Sequence, residues 1–277
     1  MPLKIEGTKK DEDVMIMKGV CKICLKTAEL TYEHTPPNKA FNWWKQTVYS
    51  GEKIVRQIKS ESLPGDFSNI KGEELQRGVG GYTLCQECNN NTGAWYANAF
   101  IDFAEQAMKA VVDQRKTSGS IVIKFEKIKP LNVIKQIVCM TLSIANPNLS
   151  QNHPELGDFV LTKEKKLDFK DVQIYAYIRI GRVMRYIGYC ASLSEGMLRE
   201  GAEITAIPFG FVLEIKPKKK EGLLTNLSHF GSKFDYDKKA DMDVTFPILE
   251  THTPYFMDYT TMKEFKKSRT AKSEDSK

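Results

Sequence analysis

Hydrophobic and polar positions along this chain follow two periods, and the change falls near residue 118. Before it the clearest pattern is helical. In "TGAWYANAFIDFAEQAMKAVVDQRKT", Tyr96, Phe100, Phe103, Ala107 and Val111 recur on one helix face, while Asn98, Asp102, Glu105 and Lys109 fall largely elsewhere. A long helix is predicted over about 92–116, its aromatic stripe serving as core packing, with "SGS" at 118–120 as a breaker. After it comes a strand-like "IVIKFEKI", then a helix from Pro130 to Ala145 opened by its proline. "DFVLT", "VQIYAYIRI", "VMRYIGYCASL" and "EITAIPFGFVLEI" then alternate in strand fashion.

The N-terminal third is less regular. Cys21 to His34 has the size of a short hairpin: a knuckle at "CKIC", a turn, then "ELTYEH" with Leu30 and Tyr32 on alternate positions. Pro36 and Pro37 end the strand. "FNWWKQTVY" suggests a short helix, and "RGVGGYTLC" a loop leading to a second knuckle. The expected class is α+β: a lead-in over 1–17, a zinc-bearing domain over 18–120 with an insertion at about 38–80, a β-rich α+β domain over 121–262 of unassigned role, and a basic disordered tail over 263–277.

Charge changes this picture little. The net formal charge is +6, yet residues 1–120 are nearly balanced, and the excess sits in the C-terminal half, notably in "KPKKKE" and "KEFKKSRTAKSEDSK". Such runs are ordinarily solvated loops and tails, with phosphate binding as the alternative. No signal-peptide pattern and no apolar run long enough for a bilayer is present, so a cytoplasmic protein without a membrane partner is expected.

The cysteines change it most. Six in a chain of that kind argue against disulfides. Cys139 and Cys190 lie in apolar surroundings and read as inert thiols. The other four, Cys21, Cys24, Cys85 and Cys88, form two Cys-x-x-Cys pairs, and four thiolates from two knuckles close a tetrahedron around a structural Zn²⁺. A thioredoxin-like redox pair fits less well, since there are two pairs and neither lies in an evident βαβ unit. The long interval between the pairs favours a treble clef, in which a knuckle, a hairpin and a helix beginning at the second ligand pair surround the ion. In that geometry Glu33, His34 and Asn89 converge, offering two oxygen ligands and an imidazole, the set that metal-assisted phosphodiester hydrolysis needs.

The run "C-x2-C … EH-x-P … C-x2-C-N" resembles the zinc-bearing HNH, or ββα-metal, endonucleases over roughly residues 18–110. The resemblance implies His34 as general base, Glu33 and Asn89 as ligands of a catalytic Mg²⁺ or Mn²⁺, and nucleic acid, DNA foremost, as substrate. Glu33 stands where the family more often has Asp, and its further His or Lys along the helix has no evident counterpart, leaving Asn90, Asn91 or Thr92 at hand. Tyr32, Lys39, Trp43, Trp44 and Lys45 are candidates to touch a strand. The C-terminal unit is left for specificity, a regulatory partner or homo-oligomerisation, an architecture met in phage-defence nucleases. The competing expectation is a non-catalytic zinc treble clef that binds nucleic acid or protein.

Overall fold

Two glycines show how the N-terminal third closes. In a computed structural model describing residues 17–57, 63, 65–165, 167–181, 183–194, 197–217 and 222–274, Gly78 has φ +85, and a Cβ there would lie 1.8 Å from the Asn42 carbonyl oxygen. At Gly80 a Cβ would lie 2.3 Å from the Glu33 carbonyl oxygen. Only glycine lets the chain approach so closely. The stretch read as a loop is therefore a strand.

Strands β1 (Lys18–Val20), β2 (Thr27–His34), β3 (Gln46–Val48), β4 (Glu73–Leu75) and β5 (Gly80–Cys85) build the N-terminal part, with helix α1 (Gly51–Gln57) between β3 and β4. A three-stranded sheet runs β1-β2-β5, and β3 pairs with β4 as a separate hairpin. "FNWWKQTVY" is thus a turn followed by β3 rather than a helix. The second knuckle opens helix α2 (Gln86–Thr92), which passes through a π-helical turn (Gly93–Ala97) into α3 (Asn98–Gln114). The predicted helix exists, but it begins at the cysteine pair, about six residues before its predicted start.

The rest is a seven-stranded sheet with helices against it. Its strands are β6 (Ser120–Ile128), β7 (Val172–Ile180), β8 (Tyr186–Ser194), β9 (Met197–Ala206), β10 (Phe209–Ile215), β11 (Thr225–Asn226) and β12 (Ala240–Glu250). The order is β6-β12-β7-β10-β9-β8, with β11 also on β7. Pairing is antiparallel except between β12 and β7. Helices α4 (Pro130–Ile144), α5 (Pro147–Asn152), α6 (Pro154–Val160) and α7 (Ser228–Lys233) intervene. "DFVLT", read as a strand, closes α6, because Leu156, Phe159 and Val160 bury at helical rather than alternate spacing. Helix α8 (Met262–Glu274) occupies most of the stretch expected as a disordered tail. The lead-in over 1–16 and Lys218–Lys220 of the basic run lie outside the described residues.

One core joins the two halves. Buried residues from Cys21 to Ile248 form a single hydrophobic cluster. Phe103 of α3 stacks on Phe125 and Phe209 of the large sheet, with ring centroids 4.5 and 4.8 Å away. Helix α4 is buried on every side from Pro130 to Ser143 and touches both the zinc-knuckle strands and the large sheet.

Candidate metal centre and the strand end beside it

The first knuckle is a tight turn. Leu25 takes φ +60 and donates its amide to the Cys21 carbonyl, while the Cys21 amide reaches Lys26. Lys22, between the cysteines, anchors the turn: its N–H donates to Thr83 and its Nζ to the Ser143 carbonyl of α4, at 2.8 Å. Cys85 ends β5 and Cys88 sits in the first turn of α2. The four Sγ atoms of Cys21, Cys24, Cys85 and Cys88 lie within 4.8 Å of one another. A tetrahedral zinc–thiolate site requires sulfur–sulfur separations of about 3.8 Å, and Cys24 and Cys85 are 3.9 Å apart. A hydrogen bond from Cys88 holds the Cys21 thiol down to about 4, and the same bond, with burial, pushes Cys88 up. The cluster fits one structural metal ion such as zinc.

The sheet beside it carries the remaining candidates. Across β2 and β5, Thr31 faces Leu84 and Tyr32 faces Tyr82, so Thr83 is an extra residue that bulges the strand. Its hydroxyl bonds to that of Ser143 at 2.6 Å. Beyond the bulge Glu33 faces Gly81 and His34 faces Gly80, where the ladder ends. Strand alternation puts Thr31 and Glu33 on the face towards α2 and α4, and Tyr32 and His34 on the other.

Asn89 joins the helix to this strand. Its Nδ2 donates to Thr31 Oγ1 at 2.9 Å and to the Tyr32 carbonyl at 3.2 Å. Its Oδ1 makes no hydrogen bond among the described residues. The first turn of α2 is thus held against β2, on the face that Glu33 shares. Glu33 has no basic side chain within ion-pair distance among the described residues, and burial pushes its carboxyl up to about 7. The imidazole of His34 packs against the Tyr32 ring at 5.1 Å. Its Nδ1 is buried with no hydrogen-bond partner, and burial lowers its pKa. No direct hydrogen bond links Glu33, His34 and Asn89: the first and last share a face, while the imidazole is turned towards the tyrosines. Of the residues after Asn89, Asn90 is exposed and Asn91 half-buried, and Thr92 returns its hydroxyl to the Cys88 carbonyl at 2.8 Å.

Sequence reasoning missed Asn42. Its Nδ2 donates to the Pro36 and Val79 carbonyls, each at 2.7 Å, and its Oδ1 accepts from the Val79 N–H at 2.7 Å and Gln46 Nε2 at 3.1 Å. One buried amide therefore clamps the chain as it leaves β2 after His34 to the chain as it enters β5. No local pattern marks it. Cys139, read as an inert thiol, is buried and pushed up by that burial; Cys190 is half-buried and pushed up to about 11. Among the described residues, no helix is long and apolar enough to cross a membrane.

No family model matches this chain, and no curated protein or solved structure does either.

Proposed function

We propose that this chain is a metal-dependent endonuclease of the HNH, or ββα-metal, type, with residues 18–92 as a treble clef stapled by zinc and DNA as the foremost substrate. The observation that carries the reading is the Asn89 amide. It ties the first turn of the helix after the second cysteine pair to the strand that ends in Glu33-His34, leaving an Oδ1 unbonded among the described residues on the same face as a half-buried carboxyl with no cation beside it among those residues. Such a carboxyl and amide oxygen suit a hard divalent cation, Mg²⁺ or Mn²⁺, which keeps most of its waters and needs few protein ligands. When bound, the cation would neutralise charge building on the non-bridging and departing oxygens.

The chain's own residues supply the rest. His34 is held neutral by burial and is the base that takes a proton from the attacking water, whose oxygen then displaces the 3′-oxygen in line at phosphorus. His34 closes β2, and Thr35 and Pro36 turn away from the ladder, so a phosphate approaching the strand end meets groups from both sheet faces. Tyr32 fixes one side of the imidazole, and the Asn42 clamp fixes the loop beyond it. Both hold the base in place before substrate arrives.

The test is incubation of supercoiled plasmid with the protein in Mg²⁺, Mn²⁺ or EDTA. Nicking that requires the divalent ion and disappears in His34→Ala is the expected result. A mobility shift without cleavage in any metal would reject the enzyme and favour a binding module.

A further inference from the structure

Four aromatic side chains stand out as exposed among the described residues: Tyr32 (39%), Trp43 (63%), Tyr82 (49%) and Tyr255 (53%). Two of the four, Tyr32 and Tyr82, sit on the β2–β5 ladder, and the turn that carries Trp43 is tied to its end. Tyr32 and Tyr82 are directly opposite in the ladder, with rings 5.5 Å apart in a T-shaped contact, on the face that carries His34. Trp43 follows Asn42, whose amide is bonded to Pro36 and Val79 at the end of that ladder. Its ring leans on Trp44 at 5.7 Å. Trp44 is half-buried and supports it from below.

Charge on this loop is uneven. Lys45 is neutralised by Glu74 at 2.8 Å, whereas Lys39 is exposed, with no carboxylate in ion-pair range among the described residues. An exposed ammonium and exposed rings on adjoining segments are the combination that holds a nucleic-acid strand, the cation on a phosphate and the rings on bases. Stacking tolerates any base but needs its face free, and inside a duplex both faces are covered. From the Tyr32–Tyr82 pair, whose first ring lies against His34, and the exposed Trp43 on the adjoining turn, we infer that Tyr82, Tyr32 and Trp43 form a stacking platform for unpaired bases, and that the substrate class is nucleic acid presenting unpaired nucleotides. The inference rests on the nuclease reading for its catalytic consequence, but the platform itself is a binding claim.

The test is fluorescence anisotropy of a labelled thymidine oligonucleotide and of a duplex of equal length, measured in Ca²⁺ for wild type, Tyr82→Ala, Tyr82→Phe and Trp43→Ala. Wild type binds the single strand more tightly than the duplex. Tyr82→Ala and Trp43→Ala lose about tenfold on the single strand, the weaker end of one stacked base, with duplex affinity nearly unchanged, and Tyr82→Phe binds as wild type. Single-strand affinities unchanged in both alanine variants, losses equal on the two forms, or a wild type that binds neither form would each overturn the platform. The two readings separate cleanly. Mg²⁺-dependent cleavage without a strand-selective loss removes the platform and keeps the nuclease; a strand-selective loss in a protein that never cleaves does the reverse.

Discussion

Asn42 commits its whole side chain to the backbone and to Gln46, with two donated and two accepted hydrogen bonds. Truncation to Ala leaves the Pro36 carbonyl and the Val79 N–H without partners, while the Val79 carbonyl keeps the Thr35 N–H at 3.0 Å, so Asn42→Ala is expected to cost about 3 kcal/mol in urea unfolding. A loss below about 1 kcal/mol would mean that water replaces the amide. His34→Ala should behave in the opposite way, with unfolding and zinc content unchanged and the metal-dependent rate down by about 10²- to 10⁴-fold. The contrast shows what single residues reveal before folding. The cysteines were legible because thiolates in two close pairs have few other uses. Glu33, His34 and Asn89 could be picked out by spacing against them. Asn42 could not, because its partners are backbone atoms 6 and 37 residues away, and backbone groups are the same in every sequence.

At the scale of elements, the knuckle turns and the start of α2 have little apolar surface of their own, so a metal bound there becomes part of their folding energy. The protein should carry one zinc per chain, and Cys85→Ser should lose it. Hydrogen exchange should then speed up in β1, β2, β5 and α2, while α4 and the strands of the large sheet stay protected. Uniform loss of protection would show that the site supports the whole core instead. Helices α3 and α4 were readable because long apolar periods leave little choice. Strand β5 was not, since Gly80 and Gly81 read as loop residues until the close approach of Glu33 explains the first of them. Helix α6 failed for a different reason: a short apolar run fits either period, and packing against α4 decided it. The tail was misread because the α8 sequence is rich in Lys, with no apolar stripe to announce a helix.

For the whole molecule, the expected boundary near residue 120 is bridged by a continuous core, so the strand end bearing His34 is buttressed by α4 and, through it, by the large sheet. The far face of that sheet is closed by residues 251–261. Arg185 and Glu203, both fully buried, pair at 2.6 Å; Arg185 donates to the Tyr255 and Asp258 carbonyls, and Glu203 accepts the Met257 N–H at 2.9 Å. Removing one partner strands a buried charge, so Glu203→Leu is expected to cost about 3–5 kcal/mol, and adding Arg185→Met should recover much of it. Limited proteolysis should cut between residues 251 and 261 in the single variant and spare the double; equal cutting would remove the staple's role. The most direct test of the central claim is an anomalous-diffraction map from crystals of the full chain soaked in Mn²⁺. The account predicts a zinc peak among the four sulfurs and a separate manganese peak between the Glu33 carboxylate and Asn89 Oδ1. A zinc peak alone, with no manganese at the strand end in a soak where wild-type protein is expected to cleave, would contradict it.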